Sequence, residues 1–299
     1  SDMKPRHDIY QTITAELAAA IDAGAGQWRM PWHHDGGTVM RPTSAVGRAY
    51  TGINRLVLWA SAEAHGFQSG TWATYRQWTE VGAQVRRGET GTHVILWKKQ
   101  ERDEPTSADS DGEERSARFF ARSFVVFNQS QVDGSPERTL ASARPIGETA
   151  ASAKLFLESV GVPVHYGPWD AYFRPDEDRV YMPDREAFDS DEDFISTLGH
   201  EIVHSTGSAQ RLARETLRDY FKDRTIRARE ELVAEIGASF LMADLGLGYS
   251  PRPDHAAYVA SWLNMLGNDT RAIFRAAAAA QAATDWIHAH AASGLPIAA

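Results

Sequence analysis

The sequence contains no cysteine. That absence excludes a disulfide scaffold, a cysteine-ligated zinc site and thiol catalysis together. No run of 18 apolar residues occurs, which excludes a membrane-spanning helix of the usual kind. The N-terminus lacks a basic start followed by an apolar stretch, so no secretory signal is expected and the expected location is the cytoplasm. A nucleophile-elbow string, a Walker A loop and a dinucleotide-type glycine turn are also missing. What is present is an ordinary globular composition of 299 residues, 42% apolar and 24% charged, enough for two compact domains. Metal chemistry stays open, because 11 histidines and 40 acidic residues remain.

The formal charge of −9 argues against a nucleic-acid partner until it is divided along the chain. Residues 1–132 hold 15 basic and 15 acidic side chains, and setting aside the stretch 101–117 leaves 13 against 8. Residues 133–299 hold 16 against 25. A basic domain over 3–132, a linker over 133–147 and an acidic domain over 148–299 are therefore expected, with different partners. The stretch 101–117 has no apolar periodicity and seven acidic residues, which predicts a mobile loop.

Periodicity predicts an α+β fold: a first domain with a small antiparallel sheet, then a mainly helical second domain. Ile9, Ile13, Leu17 and Ile21 fall at helical spacing. A second helix is expected over Gly52–Ala64, and a short third one carrying Trp72, Tyr75 and Trp78. Val85, a turn over Arg86–Gly91 and His93–Trp97 read as a hairpin, with Phe119–Phe127 as a strand beside it. After the linker, helices are expected over Thr149–Val160, Ser190–Ser205, Ile226–Leu245, His255–Leu266 and Thr270–His290. Strands are expected at Val162–Tyr166, Tyr172–Phe173 and Val180–Met182.

The strongest chemical signal is His200-Glu201-Ile202-Val203-His204. On a helix the two imidazoles share a face and reach one ion, while Glu201 lies beside the water to be activated. Further on, Glu231 and Glu235 repeat the i, i+4 spacing among Val233, Ile236, Gly237 and Phe240, and a carboxylate pair in apolar surroundings wants a cation. Glu231 reads as the third ligand, and Glu235 as acceptor of the outer N–H of a ligating histidine. Glu230 turns about 100° away, which predicts a surface position. The set suits zinc, with manganese as the other candidate ion. His255, His288 and His290 read as surface or packing residues.

Six of the nine tryptophans lie in the first 100 residues. Aromatic residues Trp72, Tyr75 and Trp78, interleaved with Arg76, Arg86, Arg87, Lys98, Lys99 and Arg122, fit a groove where bases stack and cations follow phosphates. Trp59 and Trp97 read as core.

The strings DIYQTITAELAAAIDAG, YTGINRLVLW, TWATYRQWTEVGAQVRRGETGTHVILWKK and SFVVFNQSQV resemble the N-terminal domain of ArdC-type antirestriction proteins, a domain that also begins certain plasmid TraC primases. LGHEIVHSTGSAQRL and EELVAEIGASFL resemble the zincin-like metallopeptidase domain that follows it. The resemblance implies a plasmid-borne factor that binds single-stranded DNA and shields entering DNA from restriction during conjugation. It also implies a divalent ion held by His200, His204 and a glutamate, with Glu201 as base; it does not say what is cleaved, and a protein substrate of the restriction machinery is the candidate partner beside single-stranded DNA. The chain departs from the family pattern at Arg227-Ala228-Arg229, where a Tyr-Ala pair is common. Two other readings share these residues: a DNA-coating protein with a structural or vestigial metal site, and a general cytoplasmic metalloprotease.

Overall fold

A computed structural model describes residues 8–25, 30–34, 41–99, 119–136, 146–249 and 256–292. The acidic stretch 101–117, His255 and most of the 133–147 linker lie outside the described residues. The fold is α+β. Its first half contains helices α1 (Ile9–Ala25), α2 (Ile53–His65) and α3 (Tyr75–Glu80), with strands β1 (Thr43–Ser44), β2 (Thr71–Ala73), β3 (Gln84–Val85), β4 (Thr92–Lys99), β5 (Phe119–Asn128) and β6 (Val132–Asp133). A four-stranded sheet runs β1-β2-β5-β4, with only the β1–β2 pair parallel. The outer edge of β4 is closed by Asn54 of α2, whose amide brackets both backbone groups of Ile95 at 2.7 and 2.8 Å. At Ile95 the edge is thereby denied to another strand.

The expected hairpin through Arg86–Gly91 does not form. β3 pairs with β6 and β4 pairs with β5, so that segment joins two sheets. Glycines and alternation signal strands and turns locally, whereas the choice of partner is made by distant residues. Trp72 likewise lies on β2 rather than on the short helix, which starts at a capping box between Thr74 and Gln77.

The second half comprises α4 (Ile146–Glu158), β7 (Val164–Gly167), β8 (Tyr172–Arg174), β9 (Arg179–Pro183), α5 (Asp191–Thr206), α6 (Glu215–Arg218), α7 (Arg224–Asp244), α8 (Ala256–Asn268) and α9 (Ala272–His290). Its sheet has the order β7-β9-β8. Side-chain oxygens start the two long central helices: Ser190 accepts from the Asp193 amide, and Asp223 from those of Thr225 and Ile226. α7 is the central element, packed on α5, α6, α8 and α9, and Glu230 through Met242 are all buried. Small Ala276, Ala277, Ala280 and Ala283 let α9 lie close. Among the described residues no helix is long and apolar enough to cross a membrane.

One apolar core joins both halves: Ile13, Leu17 and Ile21 of α1 and Leu56 of α2 belong with Leu232, Phe240, Trp262 and Ile273. The expected division near residue 133 thus separates the chain in sequence but not in packing. Arg55 of α2 is a buried clasp, donating to Asp244 at 2.8 Å and the Phe240 carbonyl at 3.1 Å, with its guanidinium over the rings of Trp59 and Phe240. Asp244 is also met by His288 and Arg41. Arg55→Ala is expected to cost about 3 kcal/mol, the lower end for breaking a buried pair, because Asp244 keeps two partners. Denaturant unfolding followed by tryptophan fluorescence and circular dichroism should show one coincident transition at lower denaturant. A first half that melts ahead of an intact second half would contradict the shared core.

Candidate metal centre

The site is built where α5 and α7 come closest. A Cβ added at Gly237 of α7 would stand 2.8 Å from a methyl of Val203 on α5, so glycine permits the approach. α5 presents His200 and His204 one turn apart, and α7 presents Glu231 opposite them, all buried. The two Nε2 atoms are 3.1 Å apart, and Glu231 lies 3.3 Å from that of His200 and 3.7 Å from that of His204. Among the described residues these three form the group whose ligand atoms all lie within 4.8 Å of one another. Ligands bound at about 2.0–2.1 Å in tetrahedral geometry stand roughly 3.3 Å apart, so the donor set fits a divalent ion.

The electrostatics favour a cation here. Burial works against charge on His204, but Glu231, Glu230 and Glu201 together raise its pKa to about 10. Burial would raise the Glu231 carboxyl; the two imidazoles, His204 foremost, hold it well below the usual carboxylate range. Glu231 also accepts the Tyr220 hydroxyl, whose pKa is driven up by burial and then by that carboxylate.

Glu230 is a correction. It is 0% exposed rather than on the surface. Its carboxylate meets His204 Nδ1 at 3.1 Å and Arg214 at 2.6 Å, and accepts from Thr216. Burial opposes its charge, yet Arg214 and His204 bring its pKa down to about 2. Glu230 does turn about 100° away from Glu231, but from Glu230 to Met242 α7 is buried all round, and its exposed residues, Arg224, Thr225 and Arg229, lie before that stretch. Glu235 lies behind the other histidine, 3.7 Å from Nδ1 of His200.

Glu201 is buried on α5 and lines a cavity of about 730 Å³ together with His200, His204 and Glu231. Tyr172, Phe173, Tyr220, Phe221 and Tyr258 give that cavity aromatic walls. Arg227 also lines it, its guanidinium 5.1 Å from the ring centre of Tyr220.

The residues expected to face nucleic acid are more scattered. Trp72 and Trp78 are 1% and 2% exposed and belong to two small apolar clusters, so neither offers a stacking surface. Their role is packing, and the Trp78 indole donates to the Phe127 carbonyl. Tyr75 is 52% exposed and accepts from Gln84. Arg76 pairs with Glu80, and Arg86 with Glu89 and Asp133, while Arg87 is exposed. Arg122 is exposed over the Phe124 ring. Lys98 and Lys99 end β4, and their side chains lie outside the described residues. Trp97, expected in the core, is 49% exposed, whereas Trp59 is buried.

Comparison with known proteins covers nearly the whole chain. Residues 7–127 match the N-terminal domain of anti-restriction factor ArdC, and residues 151–279 match a zincin-like metallopeptidase. Protein y4eC of Sinorhizobium fredii is 43% identical over 94% of this chain and 92% of its own length. A DNA primase TraC of Escherichia coli is 35% identical over 95% of this chain but only 27% of the primase. Crystal structures of the antirestriction ArdC protein from the R388 plasmid are similar in both metal-free and Mn(II)-bound forms. The first has a TM-score of 0.76 at 36% identity over 95% of this chain and 97% of that one. The second has 0.77 at 37%, over 96% and 99%.

Proposed function

The chain belongs to the ArdC antirestriction family, and on that premise we propose that it shields transferred DNA from restriction, joining single-strand binding in its first half to metal-dependent peptide hydrolysis in its second. The observation that carries the reading is the buried His200–His204–Glu231 group opening beside Glu201 into a cavity large enough for a peptide side chain. Nitrogen and carboxylate donors with a position facing a cavity suit zinc, and manganese is the ion of the related R388 structure. When bound, such an ion acidifies water and polarises a carbonyl. His200 and His204 would hold it, and Glu231 would supply the balancing charge. Glu201 takes the proton of the attacking water and hands it to the departing amine. Glu230 holds the His204 ring at Nδ1, and Glu235 faces Nδ1 of His200 at 3.7 Å. The substrate class is a polypeptide, and a component of the restriction machinery is the one that would make cleavage protective.

For DNA, support comes from the basic surplus of the first half outside 101–117, from exposed Tyr75 beside Arg76 in sequence, and from exposed Trp97, whose β4 neighbour Leu96 pairs with Arg122 of β5. Single strands should bind more tightly than duplex, because only unpaired bases can stack. Binding should weaken with salt as counterions are released. Tyr75→Ala or Trp97→Ala is expected to cost about 1–3 kcal/mol where a base stacks, read by fluorescence anisotropy of a labelled oligonucleotide on the full chain. Equal affinity for single strand and duplex, unaffected by both substitutions, would remove the stacking reading.

A further inference from the structure

Residues 30–34 precede α2, in the half of the chain that matches the ArdC N-terminal domain, yet they lie against α7. His34 and Tyr249 exchange backbone hydrogen bonds of 2.9 and 2.6 Å, and the Ser239 hydroxyl donates to the Trp32 carbonyl. The bridge places buried His33 over Glu235. Nδ1 of His33 accepts the backbone N–H of Met30 at 2.8 Å. A neutral imidazole that accepts at Nδ1 carries its proton on Nε2. That Nε2 stands 3.1 Å from Oε1 of Glu235, so His33 donates to it. The Tyr249 hydroxyl donates to Oε2 at 2.6 Å. Two donors from outside the metal helices therefore clamp the carboxylate whose Oε2 faces Nδ1 of His200 at 3.7 Å.

We propose that His33 is a positioning residue of the metal centre, acting through Glu235 to hold His200 with its proton on Nδ1 and its Nε2 lone pair toward the ion. The first half of the chain thereby completes the centre of the second, across 202 residues of sequence. The proposal rests on His200, His204 and Glu231 being the ligands. A carboxylate free to rotate would orient the ring less well, and removing such partners typically weakens metal binding 10–100-fold.

The test is cobalt(II) titration of the full chain, followed by visible absorption. His33→Ala should weaken binding by roughly 10–100-fold and shift the ligand-field bands, while His33→Gln, which keeps a donor at the same reach, should restore affinity to within about fivefold. His34→Ala should lower the melting temperature without that loss of affinity. Wild-type affinity and spectrum in His33→Ala overturn the proposal. So does a His33→Gln variant as weak as His33→Ala, or a His34→Ala variant with the same loss, because either makes the role one of packing. Should His33→Ala not fold, His33→Gln and Tyr249→Phe decide: near-native binding in the first with weakened binding in the second supports the clamp, and any other result overturns it. Glu231→Gln run alongside separates the two levels. If it binds like wild type, the ligand reading itself fails; if it alone loses the ion, only the role of His33 fails.

Discussion

Glu201→Gln is expected to abolish protection of DNA entering a restricting host while leaving metal content and single-strand binding unchanged. The amide occupies the same buried position at the cavity but cannot take a proton from water. General-base catalysis contributes about 10²–10⁴-fold, so any peptide hydrolysis that the metal-loaded protein performs should fall by that factor. Three measurements on one variant decide among mechanisms: metal per chain, oligonucleotide affinity and survival of transferred DNA. Metal and DNA binding retained with protection lost points to chemistry at the site. Full protection by the variant would mean that coating the DNA suffices and that the buried ion site serves structure. Loss of metal together with protection would instead place Glu201 in the ligand set, because α5 brings it within charge reach of His204.

Much of the fold was legible from the sequence, for reasons that also explain the failures. α1, α5 and α7 each combine helical apolar spacing with a cap or breaker, and such local signals survive tertiary context. His200 and His204 are fixed by a single turn of one helix, and Glu231 needed only a second helix of matching pattern. Glu230 was misplaced because helical phase gives a direction and not what lies in it; here it is Arg214 and His204. Trp72 and Trp78 were misplaced because an aromatic ring among arginines has the same composition in a core as in a groove. Tyr75, beside them in sequence, is exposed. Nothing local signals His33. Residues 30–34 have no helix or strand periodicity, and their partners, Glu235 and Tyr249, lie more than 200 positions later.

The largest effect on the metal itself should come from Glu231→Gln, and its pH dependence carries more information than its size. In the metal-free protein His204 stays charged up to about pH 10, chiefly through Glu231 once burial is overcome. A ligating imidazole must be neutral, so each ion bound near neutral pH should displace at least the proton of His204. Affinity should then rise at least about tenfold per pH unit through the neutral range and level off toward pH 10. Glu231 adds nothing to this slope, since its carboxyl is held well below the usual range and is ionised throughout. Glu231→Gln removes a ligand and the main support of the His204 charge together. Structural zinc sites bind with about 10–16 kcal/mol, so losing one ligand in three or four should cost roughly 10²–10⁴-fold. The His204 pKa should fall back toward its ordinary 6.5, and the slope above that pH should flatten. Calorimetric titration in buffers of different ionisation enthalpy measures affinity and proton release together. An affinity independent of pH between 6 and 9 in the wild type would show that His204 is not charged before the ion arrives. A Glu231→Gln variant with the wild-type slope would mean that another carboxylate, Glu230 being the nearest in contact, holds that charge.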